Sequence, residues 1–303
     1  MIRVSLFNID VEIRVAPMSR ATVNGLSISY EVLGVGRPWA ITPGGRFSKD
    51  FPGVRELAEA LAAEGNQVLI YDRPNCGESD VSFTGPSESA MQADTLAALL
   101  IHLDMTSAVI AGGSGGARVS MLTAARHPEV AAGLAVWWIS GGAFGLMSLG
   151  MHYCGQNLVK AWEDGMDAVV ALPEWEEVLR RNPSNRQRIL DQDRQEFVTT
   201  MERWMLAYCP CGDELVPGLA SADAGALDLP ALVFRSGESD AYHTRATSEA
   251  VADALPNAQL VEPPWDDREW IERSADNRVN GKLFDRWPLL APQLVEWSRK
   301  VLT

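Results

Sequence analysis

The sequence predicts an α/β fold: a mostly parallel sheet covered on both faces by helices and interrupted by a helical insertion. Three observations carry this expectation. Short apolar runs without polar alternation recur at 39–42, 67–71, 108–111 and 231–235, the pattern of strands buried on both faces. Helical periodicity stands between them, as at 54–63 and at 88–103, where apolar residues fall at 91, 96, 99, 100 and 103. From 143 to about 228 strand patterns disappear and helical stretches rich in Trp, Met, Glu and Arg take over.

Taken in order, 26–33 alternates moderately, and the run 39–42 ends in Pro43-Gly44-Gly45, a turn signal. A helix at 54–63 precedes the strand at 67–71, which Asp72-Arg73-Pro74 closes. After the helix at 88–103 come a strand at 108–111, a helix through Ala125 that stops near Pro128, and a strand at 131–139. The insertion reads as helices at 158–170, 174–181 and 186–208. Strands at 231–235 and 258–261 and a closing helix at 290–301 complete the pattern. The expected organisation is a core of 1–142 and 229–303 with a helical cap at 143–228.

The 303 residues include 47% hydrophobic and 22% charged residues, enough for a large buried core. With 40 acidic and 26 basic residues the formal net charge is −14. Such a surface repels nucleic acid and anionic membranes, so neither is expected as a partner. No apolar stretch has the length of a membrane span, and 1–20 carries no leader signature. Four cysteines are too few for a disulfide scaffold, and a cytoplasmic location is expected. Cys209-Pro210-Cys211 lacks a second pair and a nearby histidine, so it reads as two reduced thiols rather than a metal or redox centre. Dimerisation is left open.

The strongest chemical signal is Gly112-Gly113-Ser114-Gly115-Gly116, a G-x-S-x-G placed after a buried strand and before an alanine-rich helix. An abrupt strand-to-helix turn strains its central residue, needs small neighbours and projects the serine hydroxyl outward. The helix N-terminus behind it offers free N–H groups and partial positive charge. Ser114 is therefore the expected nucleophile. The same glycines do not form G-x-G-x-x-G with a following acidic residue, so nicotinamide binding is disfavoured and no cofactor or metal is expected.

This elbow, the order of elements and the helical insertion resemble the α/β-hydrolase superfamily in its cap-bearing branch, with prolyl-iminopeptidase-like enzymes, carboxylesterases, lactonases and carbon–carbon bond hydrolases. The resemblance runs from about Ala21 to the end and implies an eight-stranded, mostly parallel sheet with flanking helices and an inserted cap. It implies an oxyanion hole from the backbone N–H of Gly115 and a second from Gly45 or Arg46. Where relatives carry His-Gly, this chain has Thr42-Pro43-Gly44-Gly45-Arg46. The segment from Asp72 to Ser79 is similar to the family's sharp turn, with Asn75 for a glycine and Cys76 packed inside. Asp240, in Gly237-Glu238-Ser239-Asp240, fits the acid that follows the strand after the cap.

The base is the anomaly. Relatives place it after the last strand, and here 262–270 reads Glu-Pro-Pro-Trp-Asp-Asp-Arg-Glu-Trp, with no histidine there or downstream. Of the four histidines, His102 and His127 belong to helix ends remote from the elbow. His152 lies in the insertion, and His243 follows Asp240 by three. His243 is the expected base, oriented either by Asp240 or by Asp266 or Asp267 from the vacated position. Ser140 and Glu262 stand at strand ends on the same face. Arg46, Trp138, Phe144, His152 and Trp204 are expected to line an aromatic pocket, with the Arg46 fork available to a substrate carboxylate. The expected reaction is hydrolysis of a small or medium organic ester, lactone or activated carbon–carbon bond. Elimination, decarboxylation or cofactor-free oxygen chemistry, and an inactive binding protein, are the competing expectations.

Overall fold

A computed structural model describes residues 19–209 and 212–302. Residues 1–18, where a leader was not expected, and Pro210 and Cys211 of the C-x-C element lie outside the described residues.

The first half builds strands β1 (Ser19–Val23), β2 (Leu26–Leu33), β3 (Arg37–Thr42), β4 (Asn66–Tyr71), β5 (Ala108–Gly113) and β6 (Ala131–Trp137). Helices α1 (Val54–Ala63), α2 (Glu88–His102) and α3 (Gly115–Arg126) connect them. The cap follows as α4 (Ala143–Gly150), a π turn (Met151–Gly155), α5 (Gln156–Asp164), α6 (Met166–Val170), α7 (Glu176–Arg181), α8 (Ser184–Leu190) and α9 (Arg194–Leu206). A small hairpin of β7 (Glu214–Val216) and β8 (Leu219–Ala220) and the short α10 (Ser221–Gly225) lead back to β9 (Ala231–Phe234). Then come α11 (Arg245–Ala254), β10 (Ala258–Val261), α12 (Glu269–Asn280) and α13 (Ala291–Val301).

Eight strands form one sheet in the order β1-β2-β4-β3-β5-β6-β9-β10. The pairs from β4 to β10 are parallel, and β2 meets both β1 and β4 antiparallel. Period-two alternation divides each central strand between two cores. Val109, Ala111, Ala135 and Trp137 pack against α1 and α13, whereas Ala108, Ile110, Leu134 and Val136 face α2 and α3. Each fully buried Ile, Val or Leu contributes about 1.5–3 kcal/mol, so the sheet is a rigid platform. Thr42 pairs with Gly112 and Gly113 with Trp137, which brings the ends of β3, β5 and β6 to one edge. Parallel pairing puts the end of β9 there too, and ligands of open α/β sheets bind at such an edge.

The cap has its own aromatic core, with Trp175, Phe197 and Trp204 buried against Phe83 of the main body. Polar ties fix it: Asn185 accepts from Val81 N at 3.0 Å and donates to Ser79 O at 2.9 Å, and Arg181 meets Asp50 at 2.8 Å.

Several expectations need correction. The helix at 158–170 breaks at Gly165, whose φ of +86° ends α5. The helix at 186–208 divides where the Asp193 carboxylate caps α9 through Glu196 N at 2.9 Å. The strand at 131–139 stops at Trp137 because Trp138 turns to φ +48°. The segment between 143 and 228 is not free of strands. Pro217 and Gly218, with Gly218 at φ +85°, make a tight turn that folds β7 onto β8.

Candidate active site

Ser114 sits between β5 and α3 with φ 57° and ψ −124°, a conformation few non-glycine residues adopt. Its backbone N–H donates to the carbonyls of Trp137 and Trp138 at 3.2 and 3.0 Å, which holds the strained turn. The flanking glycine is obligatory: a Cβ on Gly116 would stand 2.1 Å from the Thr42 carbonyl oxygen.

His243 Nε2 lies 2.9 Å from Ser114 Oγ, and His243 Nδ1 lies 2.8 Å from Asp240 Oδ2. Both His243 and Asp240 are buried. One tight loop after β9 therefore holds both groups. Asp240 Oδ1 accepts the backbone N–H groups of Tyr242 and His243, each at 2.9 Å, which curls the chain until residues three apart face each other. Gly141 N–H donates to the Tyr242 carbonyl at 3.0 Å, and Thr244 caps α11 immediately afterwards, so the loop is fixed at both ends. With Nδ1–H donating to the carboxylate, the Nε2 lone pair faces the serine hydroxyl.

Opposite this loop, Gly44 and Gly45 press on the elbow. A Cβ on Gly44 would meet Ser114 Cβ at 2.9 Å, and one on Gly115 would meet Gly45 N at 3.4 Å. Gly45 N thus lies next to Gly115, against the elbow. Below the cap, a cavity of about 370 Å³ opens onto Ser114 and His243, lined by aromatic residues including Phe47, Trp138, Tyr153, Tyr242 and Trp270.

The family profile for the alpha/beta hydrolase fold matches residues 44–136. Among solved structures, the enol-lactonase of Burkholderia xenovorans LB400 superposes with a TM-score of 0.56 at 22% identity, over 93% of this chain and 100% of that one. A thermophilic esterase of Thermogutta terrifontis gives 0.59 at 21%, over 95% and 100%. A meta-cleavage product hydrolase of Pseudomonas fluorescens gives 0.56 at 18%, over 93% and 97%. The chain has the α/β-hydrolase fold. No curated protein sequence matches it.

Within this α/β-hydrolase-fold chain the remaining expected residues scatter. Asp266 and Asp267 do not reach His243. Asp266 Oδ1 accepts from Arg268 N at 2.9 Å, while Asp267 is exposed and pairs with Arg245. The Arg46 guanidinium is not free for a substrate carboxylate. It meets Glu174 of the cap at 3.2 Å and Glu88 at 3.4 Å and lies over the Trp175 ring. Burial works against its charge, but Glu88 and Glu174 outweigh burial and hold its pKa above the usual arginine value. Of the expected pocket residues, Trp138 lines the cavity. Phe144 is exposed against Tyr242, His152 is exposed, and Trp204 is buried inside the cap with Nε1 on the Gly85 carbonyl.

His127 pairs with Asp94 at 2.7 Å on the surface, and His102 is exposed at the end of α2. Glu262 pairs with Arg235, and Ser140 is buried. Burial pushes the Cys76 thiol up to about 11, which leaves it an inert packing group. Asn75 adopts φ +70° in its turn, as its glycine-like position requires.

Sequence reasoning missed α12. Its Trp270, Arg273, Ser274 and Asn277 line the cavity at the i, i+3, i+4, i+7 spacing of one helical face. Three of the four are polar, so hydrophobic periodicity did not show them. Trp270 meets His243 edge-on at 4.9 Å, and Arg273 stacks 3.5 Å over Trp138 while pairing with Glu269 at 3.0 Å. Among the described residues no cluster able to hold a metal ion occurs, and no helix is long and apolar enough to cross a membrane.

Proposed function

We propose that the chain is a serine hydrolase that opens a small or medium ester, lactone or activated carbon–carbon bond through an acyl-enzyme on Ser114. The observation that carries this reading is the continuous line of contacts Ser114 Oγ to His243 Nε2 at 2.9 Å and His243 Nδ1 to Asp240 at 2.8 Å. Nucleophile, base and orienting group stand in the order that acyl transfer needs.

In the first step Ser114 Oγ bonds to the substrate carbonyl carbon while its proton passes to His243 Nε2. Asp240 stabilises the imidazolium and keeps the ring oriented. Negative charge collects on the carbonyl oxygen, where the N–H groups of Gly115 and Gly45 receive it. One such donor is worth about 3–4 kcal/mol to the transition state. Collapse expels the leaving group, which takes the proton from His243. Water then attacks the acyl carbon as His243 accepts its proton, and collapse breaks the bond to Ser114 Oγ, which takes the proton back from His243 as the carboxylic acid leaves. No cofactor enters this scheme.

The cavity suits a substrate with an apolar portion, because six Phe, Tyr or Trp rings and two leucines line it and its volume of about 370 Å³ falls in the small-molecule range. Ser274 and Asn277 supply polar contacts at the α12 wall. The cap at 143–228 closes the cleft and excludes water, acting as the specificity element. The superposed structures, an enol-lactonase, an esterase and a meta-cleavage product hydrolase, span the same reaction range.

Intact-mass measurement after exposure to a fluorophosphonate probe tests the proposal. A single adduct on the wild type, absent from Ser114→Ala and formed far more slowly by His243→Ala, is expected. A wild type that is never labelled overturns the acyl-enzyme and leaves elimination-type chemistry or ligand binding without turnover. A panel of short-chain nitrophenyl esters and lactones then ranks the substrates.

A further inference from the structure

The two glycines of the loop that carries Gly44 and Gly45 have no Cβ to fix the backbone. Glycine peptides rotate at little cost, yet an oxyanion hole works only if its N–H groups stay aimed at one point. Within the loop the Phe47 N–H donates to the Gly44 carbonyl at 3.3 Å, and Arg73 adds a clamp from outside that also takes the Gly45 carbonyl. Its buried guanidinium donates from Nη2 to the Gly44 carbonyl at 3.3 Å and also to the Gly45 carbonyl. From Nη1 it donates to Gln92 Oε1 at 3.1 Å, and Gln92 is itself anchored through Nε2 to the Pro74 carbonyl at 3.0 Å.

In a planar trans peptide the C=O and the following N–H point in opposite directions. A Gly44 carbonyl held toward Arg73 therefore turns the Gly45 N–H away from the guanidinium, and Gly45 N lies beside Gly115. Flipping that peptide would aim a lone pair where negative charge develops. No carboxylate lies within 4 Å of the Arg73 guanidinium among the described residues, in contrast to Arg46 and Arg273, which are both paired. A Cβ on Gly115 would come within 3.8 Å of Arg73 Nη1. The guanidinium thus stands close to Gly115 as well as to the Gly44 and Gly45 carbonyls.

We propose that Arg73 is the positioning residue of the oxyanion hole, clamping the Gly44 and Gly45 carbonyls away from Ser114 and lending its charge to the developing oxyanion. This rests on the acyl-enzyme reading above. Because Arg73 touches the loop and not the substrate, its removal should weaken transition-state binding and spare ground-state binding.

The test compares wild type, Arg73→Gln, Arg73→Lys and Gln92→Leu on an ester the wild type hydrolyses. It reads kcat, KM, inhibition by phenylboronic acid, which forms a tetrahedral adduct on serine, and thermal melting. Arg73→Gln should lower kcat about 10- to 100-fold with KM within about threefold, and should weaken the boronic acid by a similar factor. Arg73→Lys should recover part of the loss through charge alone, and Gln92→Leu should cost less than about tenfold.

A folded Arg73→Gln with wild-type kcat and boronic-acid affinity, altered only in its melting temperature, would overturn the proposal and leave Arg73 a staple of its turn. If Arg73→Gln does not fold, wild-type kcat in both Arg73→Lys and Gln92→Leu overturns it equally. Fluorophosphonate labelling separates the two readings. An unlabelled wild type removes the acyl-enzyme and this inference with it. Wild-type labelling rates in the Arg73 variants remove this inference alone.

Discussion

Two loops at the carboxyl edge of the sheet divide unequal labour. The loop after β9 holds Asp240 and His243 three residues apart, buried and joined at 2.8 Å, with His243 2.9 Å from Ser114. The segment after β10 holds no histidine and instead leads into α12, which walls the cavity with Trp270, Arg273, Ser274 and Asn277. On the proposed reading, the site is defined by where groups converge, not by which strand supplies them. Once Asp240 and His243 share one loop, the other segment is released to shape the pocket.

The largest effects should come from breaking the first loop. Ser114→Ala and His243→Ala should each reduce kcat by about 10⁴–10⁶-fold, measured on any ester the wild type turns over. Placing a histidine back in the second segment, as His243→Ala with Asp266→His, should recover less than about tenfold, because Asp266 is engaged in the turn before α12 rather than facing Ser114. Asp240→Asn should cost about 10³–10⁴-fold by favouring the wrong imidazole tautomer and loosening the loop that Oδ1 ties. Asp266→Asn and Asp267→Asn should stay within about twofold, since neither carboxylate contacts the imidazole. A large loss in either would reassign the orienting carboxylate to the second segment.

The same contrast marks what the sequence made legible. Short unalternating strands and G-x-S-x-G pointed to the sheet and to the elbow, because burial on both faces and a strained turn each restrict composition strongly. His243 could be singled out by elimination among four histidines and by its distance of three from Asp240. The fate of Arg46 was hidden, because its partners Glu88 and Glu174 lie 42 and 128 residues away. The pocket face of α12 was hidden for a different reason. A helix lining a polar-spotted cavity alternates Trp with Arg, Ser and Asn, and such a face resembles a solvent-exposed one.

Changes in α12 should act on stability and binding before chemistry. Arg273→Met should destabilise the fold by about 3–5 kcal/mol, because it strands the buried Glu269 carboxylate, and it should raise KM through the loss of the Trp138 contact. Thermal melting and steady-state kinetics check both. If kcat falls as far as in Asp240→Asn while KM holds, α12 belongs to the catalytic machinery and the division of labour fails.

The smallest effect concerns Glu269, and it is a change of slope. Burial pushes the Glu269 carboxyl above its ordinary value of 4.5, against the attraction of Arg273. The folded chain then keeps this proton at pH values where the unfolded chain has already released it, so its contribution to stability is full below pH 4.5 and is lost as pH rises through the folded value. Glu269→Gln cannot titrate and retains one acceptor for Arg273. Its melting temperature should therefore fall less steeply than that of the wild type as pH rises above about 4.5, with curves that differ by a few degrees. Parallel curves would mean that the Arg273 partnership, not burial, governs the carboxyl. The pair would then be a firmly ionised brace, and the wall of the second segment would be as rigid as the loop that holds His243.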